Sequence, residues 1–204
     1  MSIYGWIYLG IIASGMLIAV AFIAYKSKKQ SEIKRKYFDE DKLQEYKTML
    51  ANSMERYGIS ESDDLSEITK KMNLKVIPCK RSDMPKGYDG RISDQEIRIA
   101  TDLSVRQTNS VLAHEIAHYM SKEVGVCESG CKVKTILPRQ GDEQVCDYIA
   151  SMILISNSEL KQELKKSKYD LMRKSKRMQF VADLADKKNI STFVVMKRIA
   201  DLQQ

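Results

Sequence analysis

Leu112-Ala-His-Glu-Ile-Ala-His118 carries the only two histidines of the 204-residue chain, His114 and His118. Residues four apart on an α-helix point nearly the same way, one turn along, so two imidazoles at this spacing can hold one metal ion. Glu115 sits between them. Rotated about 100° from His114 on the helix, it reaches water at the metal without taking a ligand position, which is the place of the general base in a zinc peptidase. The flanks suit a buried helix. Val111, Leu112, Ile116, Ala117 and Met120 give it an apolar body, and Ser104-Val-Arg-Gln107 reads as the capping box that starts it.

Catalytic zinc takes three protein ligands and keeps a fourth position open, and no third histidine exists. The missing ligand must then be a carboxylate. Glu143-Gln-Val-Cys-Asp147 offers two acids four apart on one helix face. Glu143 would bind the metal, and Asp147 would accept a hydrogen bond from a ligating imidazole and fix its tautomer. Asp142 adjoins Glu143, and spacing does not choose between them. An acid pair near a helix N-terminus is also favoured by the helix dipole with no metal involved.

Taken together, Ala113-His-Glu-Ile-Ala-His-Tyr119 and Glu143-Gln-Val-Cys-Asp-Tyr-Ile-Ala150 resemble the ImmA/IrrE family of metallopeptidases, within the gluzincin group. The similarity covers residues 43–202, and Asn189-Ile-Ser-Thr-Phe-Val-Val-Met-Lys-Arg-Ile199 is similar to that family's helical tail. The resemblance implies a mainly helical, zincin-like α+β domain. It also implies one zinc ion per chain on His114, His118 and Glu143, with Glu115 as the catalytic glutamate. The activity implied is an endopeptidase that cleaves a cytoplasmic transcriptional repressor, often one governing a mobile element or stress genes. The chain departs from the family pattern at Leu154-Ile-Ser156, where Leu-Met-Pro is usual, and at Cys146, where alanine is usual.

The chain has room for one domain and a tail or anchor. Its net charge of +7 points to nucleic acid or anionic lipid as a neighbour, and the distribution decides between them. Lys26, Lys28, Lys29, Lys34, Arg35 and Lys36 follow directly on residues 3–25, which hold no charged side chain. As a helix that run would measure about 30 Å, enough to cross a bilayer. No Lys or Arg precedes it, and it is longer than a signal-peptide core. The expectation is therefore a single transmembrane helix over residues 1–25, with the N-terminus outside and the catalytic domain in the cytoplasm. Residues 26–40 would form a basic linker on membrane lipids. Gly10 and Ser14 would let two such helices meet as a homodimer. Cys79, Cys127, Cys131 and Cys146 would be reduced there, and Cys127 with Cys131 supplies too few ligands for a second metal site.

Residues 41–57 and 63–72 have helical periodicity, and residues 74–79, 91–92 and 96–100 alternate like the strands of a small antiparallel sheet. The strand before the metal helix would offer an edge to an extended substrate. A loop over 125–141, with a strand at 132–137, leads to a helix over 142–155. Residues 41–157 thus make the peptidase core, and 158–204 a helical tail packed on it. The tail's basic residues, Lys161 to Arg177, form a solvated face over a core side of Leu160, Leu164, Leu171 and Met172, and Ser191 caps the last helix. No direct contact with nucleic acid is expected. Tyr88, Tyr119 and Tyr148 are the candidate oxyanion donors. The function expected is a membrane-anchored, zinc-dependent endopeptidase acting on a regulatory protein; the alternative is a metal-binding regulator that releases its repressor partner uncleaved.

Overall fold

In a computed structural model, residues 22–28, 31, 40–123 and 141–203 are described. Helix α1 (Glu40–Arg56) buries Tyr46, Met49 and Leu50, with Leu43 and Met54 packed partly buried beside them. Gly58, at φ 61°, turns the chain after it. Helix α2 (Leu65–Lys71) opens with a capping box. Asp64 accepts from the Glu67 N–H at 2.9 Å while Glu67 accepts from the Asp64 N–H at 3.1 Å.

Three strands follow, β1 (Lys75–Cys79), β2 (Gly90–Ser93) and β3 (Glu96–Ala100), in the order β1-β3-β2. The sheet is mixed, not antiparallel as the alternating pattern suggested: β2 and β3 form a hairpin, but β1 lies parallel to β3. Alternation sets which side chains face the core and carries nothing about strand order. The order follows from the crossing after β1. Arg81 pins that crossing, donating to Asp102 at 2.9 and 3.1 Å, to the Tyr88 carbonyl at 2.8 Å and to Asp89. The strand that directly precedes the metal helix, β3, is thus central and offers no free edge; the edges belong to β1 and β2.

Helix α3 (Val105–Glu123) lies across β2 and β3 and packs against α4 (Gly141–Leu154). Ile92, Ile97, Ile99, Ala113, Ile116, Ala117, Val145 and Ile149 fill the space between sheet and helices. Helices α5 (Asn157–Ser167), α6 (Lys174–Lys188) and α7 (Thr192–Leu202) enclose a second apolar cluster of Leu160, Val181, Leu184, Ile190, Val195 and Ile199. The expected core side of this tail breaks after α5. Lys168 adopts a left-handed conformation at φ 55° and ends the helix, so the period is lost and Leu171, in a 3-10 turn, is 83% exposed.

The expected membrane anchor is not supported, and with it falls the single-pass placement of a cytoplasmic catalytic domain. No helix among the described residues is long and apolar enough to cross a membrane. Residues 1–21, including Gly10 and Ser14, lie outside the described residues, as do Cys127, Cys131 and the strand expected at 132–137.

Candidate metal centre

Helix α3 starts where its sequence says it should. Gln107 Oε1 accepts from the Ser104 N–H at 2.9 Å, and the Gln107 N–H reaches back to Ser104 Oγ at 3.4 Å. Two turns on, His114 and His118 are both buried, their rings edge to face with centroids 4.6 Å apart. Their Nε2 atoms stand 3.0 Å from each other. Glu143, on the first turns of α4, completes the group, with Oε2 3.2 Å from His114 Nε2 and Oε1 3.6 Å from His118 Nε2. Two donors about 2.1 Å from one tetrahedral ion lie about 3.4 Å apart, so the spacing fits one metal ion. Among the described residues this is the one cluster of three such donors, all within 4.8 Å of one another.

The outward nitrogens of both rings are also held. His114 Nδ1 lies 2.9 Å from Asp147 Oδ1, the contact expected of a residue that fixes a tautomer. His118 Nδ1 faces the sulfur of Cys146 at 3.3 Å, a contact the sequence reading missed. Its signals were a cysteine one position before Asp147 on the same helix and the departure from alanine at that position. Burial would raise the pKa of Glu143, but hydrogen bonds with both imidazoles and their charge bring it down to about 2. Glu143 therefore stands ready as an anionic ligand.

Glu115 is fully buried. Its Oε2 accepts the Ile92 N–H of β2 at 2.9 Å, while Oε1 has no hydrogen-bond partner. Burial pushes its pKa up, against the opposing pull of His114, His118 and the Ile92 N–H. A buried carboxylate with one unpartnered oxygen, under the electrostatic influence of His114, His118 and Glu143, suits a site that holds a cation and water. The donor set and this orphan fit a bound metal.

Gly90 makes the contact between β2 and α3 possible. A Cβ there would stand 2.3 Å from Val111 Cγ1 and 3.2 Å from Glu115 Oε1. A glycine within a strand often marks such a close backbone approach, and that signal was available in the sequence. Of the three tyrosines, Tyr148 is only 2% exposed and packs on Tyr46 at 6.4 Å between ring centroids, with Lys197 Nζ 5.5 Å from its ring. Tyr88 and Tyr119 retain partial exposure. Asp142 belongs to the first turn of α4, but the metal-capable group contains Glu143.

No curated protein matches the chain. A family model does: Peptidase_M78, the IrrE N-terminal-like domain, matches residues 69–200, from within α2 to within α7. That range includes the sheet, the histidine pair, Glu143 and most of the second apolar cluster, and the mainly helical α+β architecture fits a zincin-like peptidase. The chain belongs to the Peptidase_M78 family of IrrE N-terminal-like domains.

Proposed function

We propose that the protein is a zinc-dependent endopeptidase that cleaves a regulatory protein, a transcriptional repressor being the substrate class that the resemblance of its motifs to the ImmA/IrrE family implies. The observation that carries the reading is the convergence of His114 Nε2, His118 Nε2 and Glu143, with the buried Glu115, whose Oε1 has no partner, next to His114 on the same helix. A bound zinc ion would supply Lewis acidity, polarising the peptide carbonyl and acidifying water at the site.

The chain's own residues do the rest. Glu115 accepts the proton of the attacking water on its free oxygen and returns it to the leaving amine. The Ile92 N–H holds its other oxygen, so the carboxylate is aimed before substrate arrives. Asp147 keeps His114 in the ligating tautomer. Edge strand β2 is where an extended substrate would pair. Asp89 bonds Ala100 of β3 through its carbonyl, so by the alternation of an antiparallel pair the backbone groups of Gly90 and Ile92 face away from β3; the Ile92 N–H is taken by Glu115, so a substrate strand would pair with Gly90 and the Ile92 carbonyl.

Glu115→Gln tests this. A glutamine carbonyl still accepts the Ile92 N–H, so the fold survives while proton transfer is lost, and cleavage should fall about 10²- to 10⁴-fold. New protein N-termini are compared in cells making equal amounts of each form. Termini in one or a few proteins, present only with the wild type, support the reading and name the substrate. If the variant still switches on the same downstream response with no new termini in either strain, release of a partner without cleavage replaces it.

A further inference from the structure

Asp147 and Cys146 are consecutive on α4, and each meets the outward nitrogen of one imidazole: Asp147 Oδ1 at 2.9 Å from His114 Nδ1, and Cys146 Sγ at 3.3 Å from His118 Nδ1. We propose that Cys146 is a positioning residue of the metal centre. Its sulfur accepts the Nδ1–H hydrogen bond of His118 and so fixes the tautomer that turns a lone pair on Nε2 toward the metal. The inference rests on the reading of His118 as a ligand.

A neutral imidazole has one N–H and one lone pair. If the thiol donated S–H to Nδ1, the ring proton would sit on Nε2, and His118 would present a donor to His114 and Glu143 where a ligand is needed. Metal binding and a donating thiol therefore exclude each other. With Nε2 committed inward, Nδ1 carries the proton, and Cys146 Sγ is the acceptor within reach.

Burial explains why the two partners differ in chemistry. The Asp147 side chain is 39% exposed and keeps water around its charge. Cys146 is wholly buried beside the equally buried Val145 and Ile149, where a second carboxylate would lose its hydration. A thiol packs there as a small apolar group and still offers sulfur as a weak acceptor. One helix thus supplies the anionic ligand from Glu143, a charged anchor for one histidine and an uncharged anchor for the other.

The test measures zinc affinity of the full chain by competition with a chromogenic chelator, for the wild type, Cys146→Ala and Cys146→Ser, alongside the thermal midpoint of each metal-free form. Alanine removes the acceptor and should weaken zinc binding about 10- to 100-fold. Serine also loses the volume of sulfur but restores an acceptor, and should recover most of that loss. The metal-free midpoints report packing separately. Cys146→Ala binding zinc as tightly as the wild type overturns the proposal, and so does an equal loss in the alanine and serine forms, since volume alone would then be responsible. A wild-type chain that binds no zinc would overturn the ligand reading itself and this proposal with it.

Discussion

At the scale of single residues, the site depends on a side chain that is absent. Gly90 lets β2 approach α3 closely enough for the Ile92 N–H to reach Glu115 Oε2 at 2.9 Å. Gly90→Ala would set a methyl group 2.3 Å from Val111 Cγ1, and overpacking of this kind costs about 1–3 kcal/mol. Thermal denaturation should show a lowered midpoint. Adding Val111→Ala removes the worst contact, so the double variant should lose less stability than the two single losses combined; strict additivity would mean the contact is relieved some other way. His114, Glu115 and His118 were legible because helical geometry converts a spacing of four into one face. The acid pair of α4 was legible in the same way. Cys146 was not, because a cysteine in a helix rich in apolar residues looks like any small core residue until an imidazole is placed 3.3 Å away.

At the scale of elements, α3 carries two of the three converging donors, so its start sets their position relative to β2. Ser104 caps it through Gln107. Ser104→Ala should destabilise the protein by about 1 kcal/mol, about 2–4 °C in thermal midpoint for a chain of this size. An unchanged midpoint would show that the tertiary packing of α3 alone fixes its first turn. Helix boundaries were readable because caps, glycines and periodicity are local signals. Sheet order is not local. Ile97 and Ile99 are buried and Arg98 is exposed whichever strand lies alongside, so the parallel pairing of β1 with β3 had to come from the crossing that Arg81 holds.

At the scale of the whole molecule, two apolar clusters meet at Leu154, which packs partly buried against both. Polar ties reinforce the junction: Arg106 of α3 pairs with Asp186 of α6, and Asn109 donates to the Asn189 carbonyl at 3.2 Å. A long apolar run in the sequence suggested a spanning helix, but most of that run lies outside the described residues, and no described helix is long and apolar enough to cross a membrane. Charge in the tail has a more definite consequence. Glu163 of α5 and Lys187 of α6 meet at 2.7 Å, and the hydrogen bond from Lys187 lowers the carboxyl pKa from its ordinary 4.5. A carboxylate whose folded pKa is depressed contributes stability that is fully present above its unfolded value and is lost as pH falls through the folded one. The wild-type thermal midpoint should therefore drop as pH falls below 4.5. Glu163→Gln should lower the midpoint slightly at neutral pH and drop less on acidification, with the gap between the two proteins narrowing in high salt because the pair is partly exposed. Parallel curves at all pH values would show that the pair contributes nothing to holding α5 against α6.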